Sequence, residues 1–149
     1  MSKEAIATRV AVILLNWNCW RYTVAAAKSL RSSPDISITT LIVDNASTDG
    51  SLGHLRAALP EAEIIANPVN AGFAGGCNVG IRRALELDCD YIFFLNNDAF
   101  VRETTIPELV TQSRRLQDRS VLGSAVRFAG SDEYQYFGSR YCNQKGHPH

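Results

Sequence analysis

The chain lacks any excess of charge: lysine plus arginine and aspartate plus glutamate both number 15, a formal net charge of zero. That balance removes the electrostatic footprint expected of a nucleic-acid binder or of a protein held to an acidic membrane. No apolar run approaches the ~20 residues a bilayer requires, so no transmembrane segment is expected. Met1, Ser2, Lys3, Glu4 and Ala5 lead into no signal-peptide block, and a cytoplasmic protein is the default expectation. Four cysteines (Cys19, Cys77, Cys89, Cys142) are scattered without a Cys-x-x-Cys pair. Their spacing suits neither a zinc site nor a disulfide framework and predicts reduced, mostly buried thiols that behave as small hydrophobes. His54, His147 and His149 make no ligand pattern, and there is no internal repeat, low-complexity stretch or linker.

What is present is an ordinary globular balance: 149 residues, 46% hydrophobic and 20% charged. That suits one domain with a real core. Arg9–Leu15 is a continuous apolar, β-branched run of the kind that forms a strand buried on both faces of a parallel sheet. Similar runs follow at Ile38–Val43, Ala62–Ala66 and Tyr91–Leu95, with a weaker fifth at Ser120–Phe128. Between them, helical spacing marks Trp20–Leu30, Ser51–Leu59 and Val79–Leu87. Thr105 and Glu108 form a capping box ahead of Leu109, Val110 and Leu116. Alternating strands and helices predict an α/β fold around a mostly parallel sheet. The pattern dissolves beyond Phe128, giving an expected division into an α/β domain over 1–128 and an irregular segment over 129–149.

The unusual polar residues follow the carboxyl ends of the strands. Asn16, Trp17 and Asn18 follow the first; Asp44, Asn45, Ser47, Thr48 and Asp49 follow the second. The Gly-rich stretch Asn67–Gly76, containing Asn70, Gly72 and Phe73, follows the third, and Asn96-Asn97-Asp98 follows the fourth. Singly, each reads as a turn. Jointly they converge where open α/β sheets bind ligands, in the crevice beyond the strand ends.

Glycine is missing after the first strand, where a dinucleotide fold would carry G-x-G-x-x-G, and there is no P-loop. The ligand's charge must be met otherwise. Asp98 offers an oxygen ligand for magnesium or manganese bridging a diphosphate, or alternatively caps a turn. Asp44 can accept hydrogen bonds from a base or ribose. Trp17 and Trp20 are either stacking surfaces or core. Gly72, Gly75 and Gly76 permit close backbone approach or positive φ, Phe73 is expected to pin the loop to the core, and Asn78 to begin a helix whose N-terminus favours phosphate oxygens.

The segments VAVILLNWN, LIVDNASTDGS, NPVNAGFAGGCNVGIRRAL and YIFFLNNDAFV, taken together and in order, resemble the family 2 glycosyltransferases of the GT-A fold, particularly a rhamnosyltransferase-like bacterial branch. The resemblance covers about residues 9–128. It implies a Rossmann-like, nucleotide-sugar-binding α/β domain whose mostly parallel sheet is flanked by helices. It places Asn16, Trp17 and Asn18 in the segment cradling the nucleotide, Asp44 at the base, Asn45 among the nucleotide-sugar-binding residues, and the Asn70–Asn78 stretch near the nucleotide. Asn96, Asn97 and Asp98 take the position of the D-x-D motif, with Asp98 the retained metal-binding carboxylate and Asn96 a departure from the pattern.

The resemblance further implies a nucleoside-diphosphate sugar of UDP or dTDP type, a magnesium or manganese ion, inversion at the anomeric centre, and a glycan or lipid-linked acceptor in cell-envelope polysaccharide synthesis. It implies a cytoplasmic site, peripheral to the inner face of the membrane. It also puts the general base in an acceptor region beyond His149, so that the chain corresponds to the donor-binding half and is expected to transfer sugar poorly by itself. An apolar edge left by truncation would favour homo-oligomers. Two other readings compete. A sugar-nucleotidyltransferase would want a basic Gly-rich loop where Asn16–Trp20 stands. A non-catalytic nucleotide-binding module would need a partner to supply the acceptor site.

Overall fold

The computed structural model of the chain describes residues 7–136. The described residues form two compact units that divide between Thr104 and Thr105. In the first, four strands and three helices alternate: β1 (Thr8–Asn16), α1 (Trp20–Lys28), β2 (Ile36–Asp44), α2 (Ser51–Ala58), β3 (Glu63–Ala66), α3 (Gly72–Glu86) and β4 (Tyr91–Phe94). The strands make one parallel sheet in the order β3-β2-β1-β4. This is the α/β architecture expected from the four apolar runs.

β1 lies between two neighbours, and Val10, Ala11, Val12, Ile13 and Leu14 are each at most 2% exposed. Successive side chains alternate between faces of a strand, and the contacts show which face is which. Ala11 and Ile13 pack with Leu41 and Ala84 of α3. The even positions face α1, where the Asn16 side chain meets Thr23. Both faces are covered, which is why the strand carries no polar alternation.

α3 comes close to β1 because its contact face is glycine. A Cβ on Gly80 would lie 2.6 Å from Ile13 Cγ2, and one on Gly76 would lie 2.3 Å from Leu15 Cδ1. The sheet register sets the edge where polar residues emerge: Asn16 pairs with Asp44, Asp44 with Ala66, and Ile13 with Phe94. β1, β2 and β3 therefore end at one level and β4 three residues short of it, and the loops that follow the strands share one edge.

Two expectations need correction here. α3 begins at Gly72, so Asn78 lies in its second turn as an exposed residue and opens no helix. The fifth run supplies no strand to the parallel sheet. Within Ser120–Phe128 only Val126–Arg127 (β5) is extended, and it pairs antiparallel with Tyr134–Tyr136 (β6) in a separate sheet.

The second unit has α4 (Thr105–Arg115) and this hairpin. Glu108 in the first turn of α4 and Arg114 and Arg115 in its last complement the helix dipole. Arg127 pairs with Asp132 at 2.9 Å and donates to the Tyr134 hydroxyl at 2.8 Å. Cys142, His147, His149 and most of the irregular C-terminal segment lie outside the described residues. Among the described residues no helix is long and apolar enough to cross a membrane.

Candidate nucleotide-sugar site

At the carboxyl edge of the sheet, Asn16 and Asp44 stand side by side, 0% and 3% exposed. A buried carboxylate needs donors, and this one has three. Asn16 Nδ2 donates to Oδ1 at 2.7 Å, the Ser47 hydroxyl to Oδ1 at 2.6 Å, and the Ser47 amide to Oδ2 at 3.1 Å. A carboxylate offers about four lone-pair positions, so Oδ2 keeps capacity for one more donor. The return of Ser47 onto Asp44 depends on Ala46 at φ 60°, a left-handed conformation that a residue with a Cβ adopts only at a cost.

Asn18 clips the first two loops together. Also left-handed at φ 52°, it donates its amide to Ser47 Oγ at 2.9 Å and accepts from the Thr48 amide at 2.7 Å.

Asn45, 2% exposed, organises the third loop and is saturated by it. Its Nδ2 donates to Asn70 Oδ1 at 2.6 Å and Gly72 O at 3.2 Å, while its Oδ1 accepts from Asn67 Nδ2 at 3.0 Å and the Ala71 amide at 3.1 Å. Asn70 Oδ1 additionally accepts from the Gly72 amide at 2.9 Å. These bonds deliver the start of α3 to the edge of the sheet.

A pocket of about 270 Å³ opens there, lined by Leu15, Trp17, Cys19, Phe73, Asn96 and Asn97. Trp17 is 56% exposed and Phe73 66%, two large aromatic faces left to solvent at one place. Phe73 therefore does not pin the loop to the core. Gly80 meets Ile13 and Gly76 meets Leu15, so the next turn back along α3 carries Phe73 past the end of β1, where no sheet lies beneath it. Trp20 is not a wall of this pocket either. It stacks on His54 with ring centroids 4.2 Å apart and 16° between planes.

A convergent polar edge beside an aromatic pocket fits several nucleotide-binding folds, and sequence comparison decides among them. The profile of glycosyl transferase family 2 matches residues 11–147. The chain belongs to glycosyl transferase family 2. No curated protein sequence matches it. Solved structures share its fold at low identity. TarS from S. aureus, residues 1–349, superposes with a TM-score of 0.60 at 19% identity, over 72% of this chain and 33% of that one. The same TarS fragment in complex with UDP-GlcNAc gives 0.60 and 19%, over 72% and 32%. The mannosyltransferase PcManGT from Pyrobaculum calidifontis, in complex with GDP-Man and Mn2+, gives 0.57 and 18%, over 74% and 33%. The chain thus spans about a third of the length of these structures, and the likeness establishes a GT-A type α/β fold.

Within this family 2 domain, Asn96 and Asn97 reach the pocket and Asp98 follows them in a tight turn, exposed and without a hydrogen bond or ion pair among the described residues. A carboxylate unclaimed by protein donors is chemically suited to a hard divalent cation. No group of three His, Cys, Asp or Glu side chains gathers around it among the described residues, so a cation there would draw its other oxygens from substrate and water.

Of the cysteines, Cys19 borders the pocket and Cys89 is partly buried. Burial pushes the Cys77 thiol up, leaving it a packed, protonated side chain.

One residue of this site escaped the sequence reading. Thr23, fully buried in α1, donates its hydroxyl to Asn16 Oδ1 at 2.7 Å and accepts from Asn97 Nδ2 at 3.2 Å. The buried face of α1 is Thr23, Ala26 and Ala27, continued just past its end by Leu30. A threonine in that i, i+3, i+4, i+7 stripe, aligned with a strand-end asparagine, was the available signal.

Proposed function

We propose that this chain forms the nucleoside-diphosphate-sugar site of an inverting glycosyltransferase. Its donor is of UDP or dTDP type, and its acceptor is a glycan or lipid-linked hydroxyl in cell-envelope polysaccharide synthesis, of the rhamnosyltransferase-like branch. The observation that carries this reading is the pocket itself, where aromatic faces at Trp17 and Phe73 meet Asn96 and Asn97 at the strand ends. The aromatic faces suit a planar base, and the free lone pair on Asp44 Oδ2 suits one of its N–H donors.

Asp98 would hold a magnesium or manganese ion, consistent with the cation named with PcManGT. Such an ion supplies positive charge against the diphosphate as it leaves. The chain's own residues bind and orient the donor: Asn45 fixes the Asn67–Gly72 loop, and the Asn16–Asp44 pair fixes the base end.

We assign no general base within the described residues. Of the two carboxylates of the hairpin, Asp132 and Glu133, the first is committed to Arg127. The acceptor region and its base belong, in this reading, to sequence following the 1–128 domain, and the site works at the cytoplasmic face of the membrane.

Titration with UDP and dTDP, followed by tryptophan fluorescence, tests the assignment. Stacking on exposed Trp17 should quench emission, and Trp17→Phe should remove the quench while leaving the signal of Trp20. A quench that persists unchanged in Trp17→Phe would move the base away from this pocket. Turnover with added acceptor, measured in parallel, separates a transferring enzyme from a binding module.

A further inference from the structure

The polar contacts at the strand ends form one directed chain that the donor-site reading does not require. Asn97 Nδ2 donates to Thr23 Oγ1 at 3.2 Å, Thr23 Oγ1 donates to Asn16 Oδ1 at 2.7 Å, and Asn16 Nδ2 donates to Asp44 Oδ1 at 2.7 Å. The direction is forced by chemistry. An ionised carboxylate only accepts, so Asn16 must turn its amide nitrogen to Asp44 and its oxygen to Thr23. The single hydroxyl proton of Thr23 is then spent on Asn16, since its alternative acceptor, Cys19 O, is 3.4 Å away. Toward Asn97, Thr23 can only accept. Asn97 is thereby held by its nitrogen, and its side-chain oxygen makes no hydrogen bond among the described residues. Asn16 and Thr23 are both 0% exposed, where no water substitutes for a lost partner and linked hydrogen bonds polarise one another.

We propose that Thr23 is a positioning residue of the donor site: its hydroxyl couples the Asn96–Asp98 turn to Asp44, setting the diphosphate end and the base end of the site at one separation. Neither Asp44 nor Asp98 touches Thr23. The effect passes through Asn16 on one side and through Asn97, the chain neighbour of Asp98, on the other. The functional consequence rests on the donor-site reading, whereas the coupling itself does not.

The test uses the full chain, labelled with nitrogen-15, and the side-chain amide resonances of Asn16 and Asn97. Asp44→Asn should shift the Asn97 amide in the otherwise unaltered chain. That response should vanish in the Thr23→Val background and survive in Thr23→Ser. Should Thr23→Val fail to fold, Asn97→Leu at the partly exposed end cuts the same chain and should shift the Asn16 amide. In UDP titrations with manganese, Thr23→Val should weaken binding about fivefold, one hydrogen bond's worth, with Thr23→Ser within about twofold of the unaltered chain. An Asn97 response that is absent from the start, or that persists in Thr23→Val, overturns the coupling. An Asn97 response in a chain that binds neither UDP nor dTDP keeps the coupling and overturns the donor-site reading instead.

Discussion

At the scale of single residues, the site shows a division of labour among asparagines that look alike in the sequence. Asn45 spends all four of its hydrogen-bonding positions on the loop that carries Asn67, Asn70, Ala71 and Gly72. Asn45→Ala should destabilise the chain by about 2–3 kcal/mol, because it leaves several partly buried groups unpaired. Denaturant unfolding checks this, and a loss under about 0.5 kcal/mol would show that water replaces those bonds. Asn16, fully buried, is spent on Asp44 and Thr23, whereas Asn18 ties two loops together through its backbone amide and Oδ1 and keeps its exposed side-chain nitrogen for a ligand. Asn96 and Asn97, at the pocket, remain. That polar strand-end residues gather at one edge was legible from their positions after apolar runs. Which of them build the edge and which face outward was not, because hydrogen-bond partners 20 to 30 residues apart leave no local mark. Thr23 was missed for a related reason: its place in the buried stripe of α1 was legible, but its partners Asn16 and Asn97 lie on other elements.

Among the elements, β1 and β2 were legible to within two residues at either end. A strand buried on both faces writes an unbroken apolar run. The start of α3 was not. Gly72, Gly75 and Gly76 are poor helix formers, and their cluster reads as loop. The helix forms there because Asn45 and Asn70 organise its first residues and because glycine lets it settle on β1. That displaced start explains why Phe73 was expected inside and Asn78 at a helix N-terminus. It also makes Gly80 a sensitive position. Gly80→Val should cost at least about 1–3 kcal/mol despite the poor helix propensity of glycine, since the new side chain meets Ile13, which is 2% exposed. A thermal melt unchanged by Gly80→Val would mean that α3 stands off the sheet. Gly76→Ala presses on Leu15, a pocket wall, and is expected to disturb the pocket more than the fold. The short β5 misled for a different reason: an apolar, β-branched stretch near Val126 fits a hairpin as well as a sheet strand, and periodicity alone does not choose.

For the molecule as a whole, the parallel order β3-β2-β1-β4 places the loops that follow the strands of the first unit at one edge, and family membership gives that edge its meaning. The chain covers about a third of the length of the solved structures it resembles, and the donor site proposed for it lies at this edge. The decisive test of that assignment is calorimetric titration of the chain with UDP and dTDP, each with and without manganese, alongside Asp98→Ala. Manganese should strengthen binding of one of the two nucleotides, and Asp98→Ala should abolish that gain, leaving at least tenfold weaker binding in the presence of the metal. No binding by the folded chain, or a manganese effect undiminished in Asp98→Ala, would contradict it.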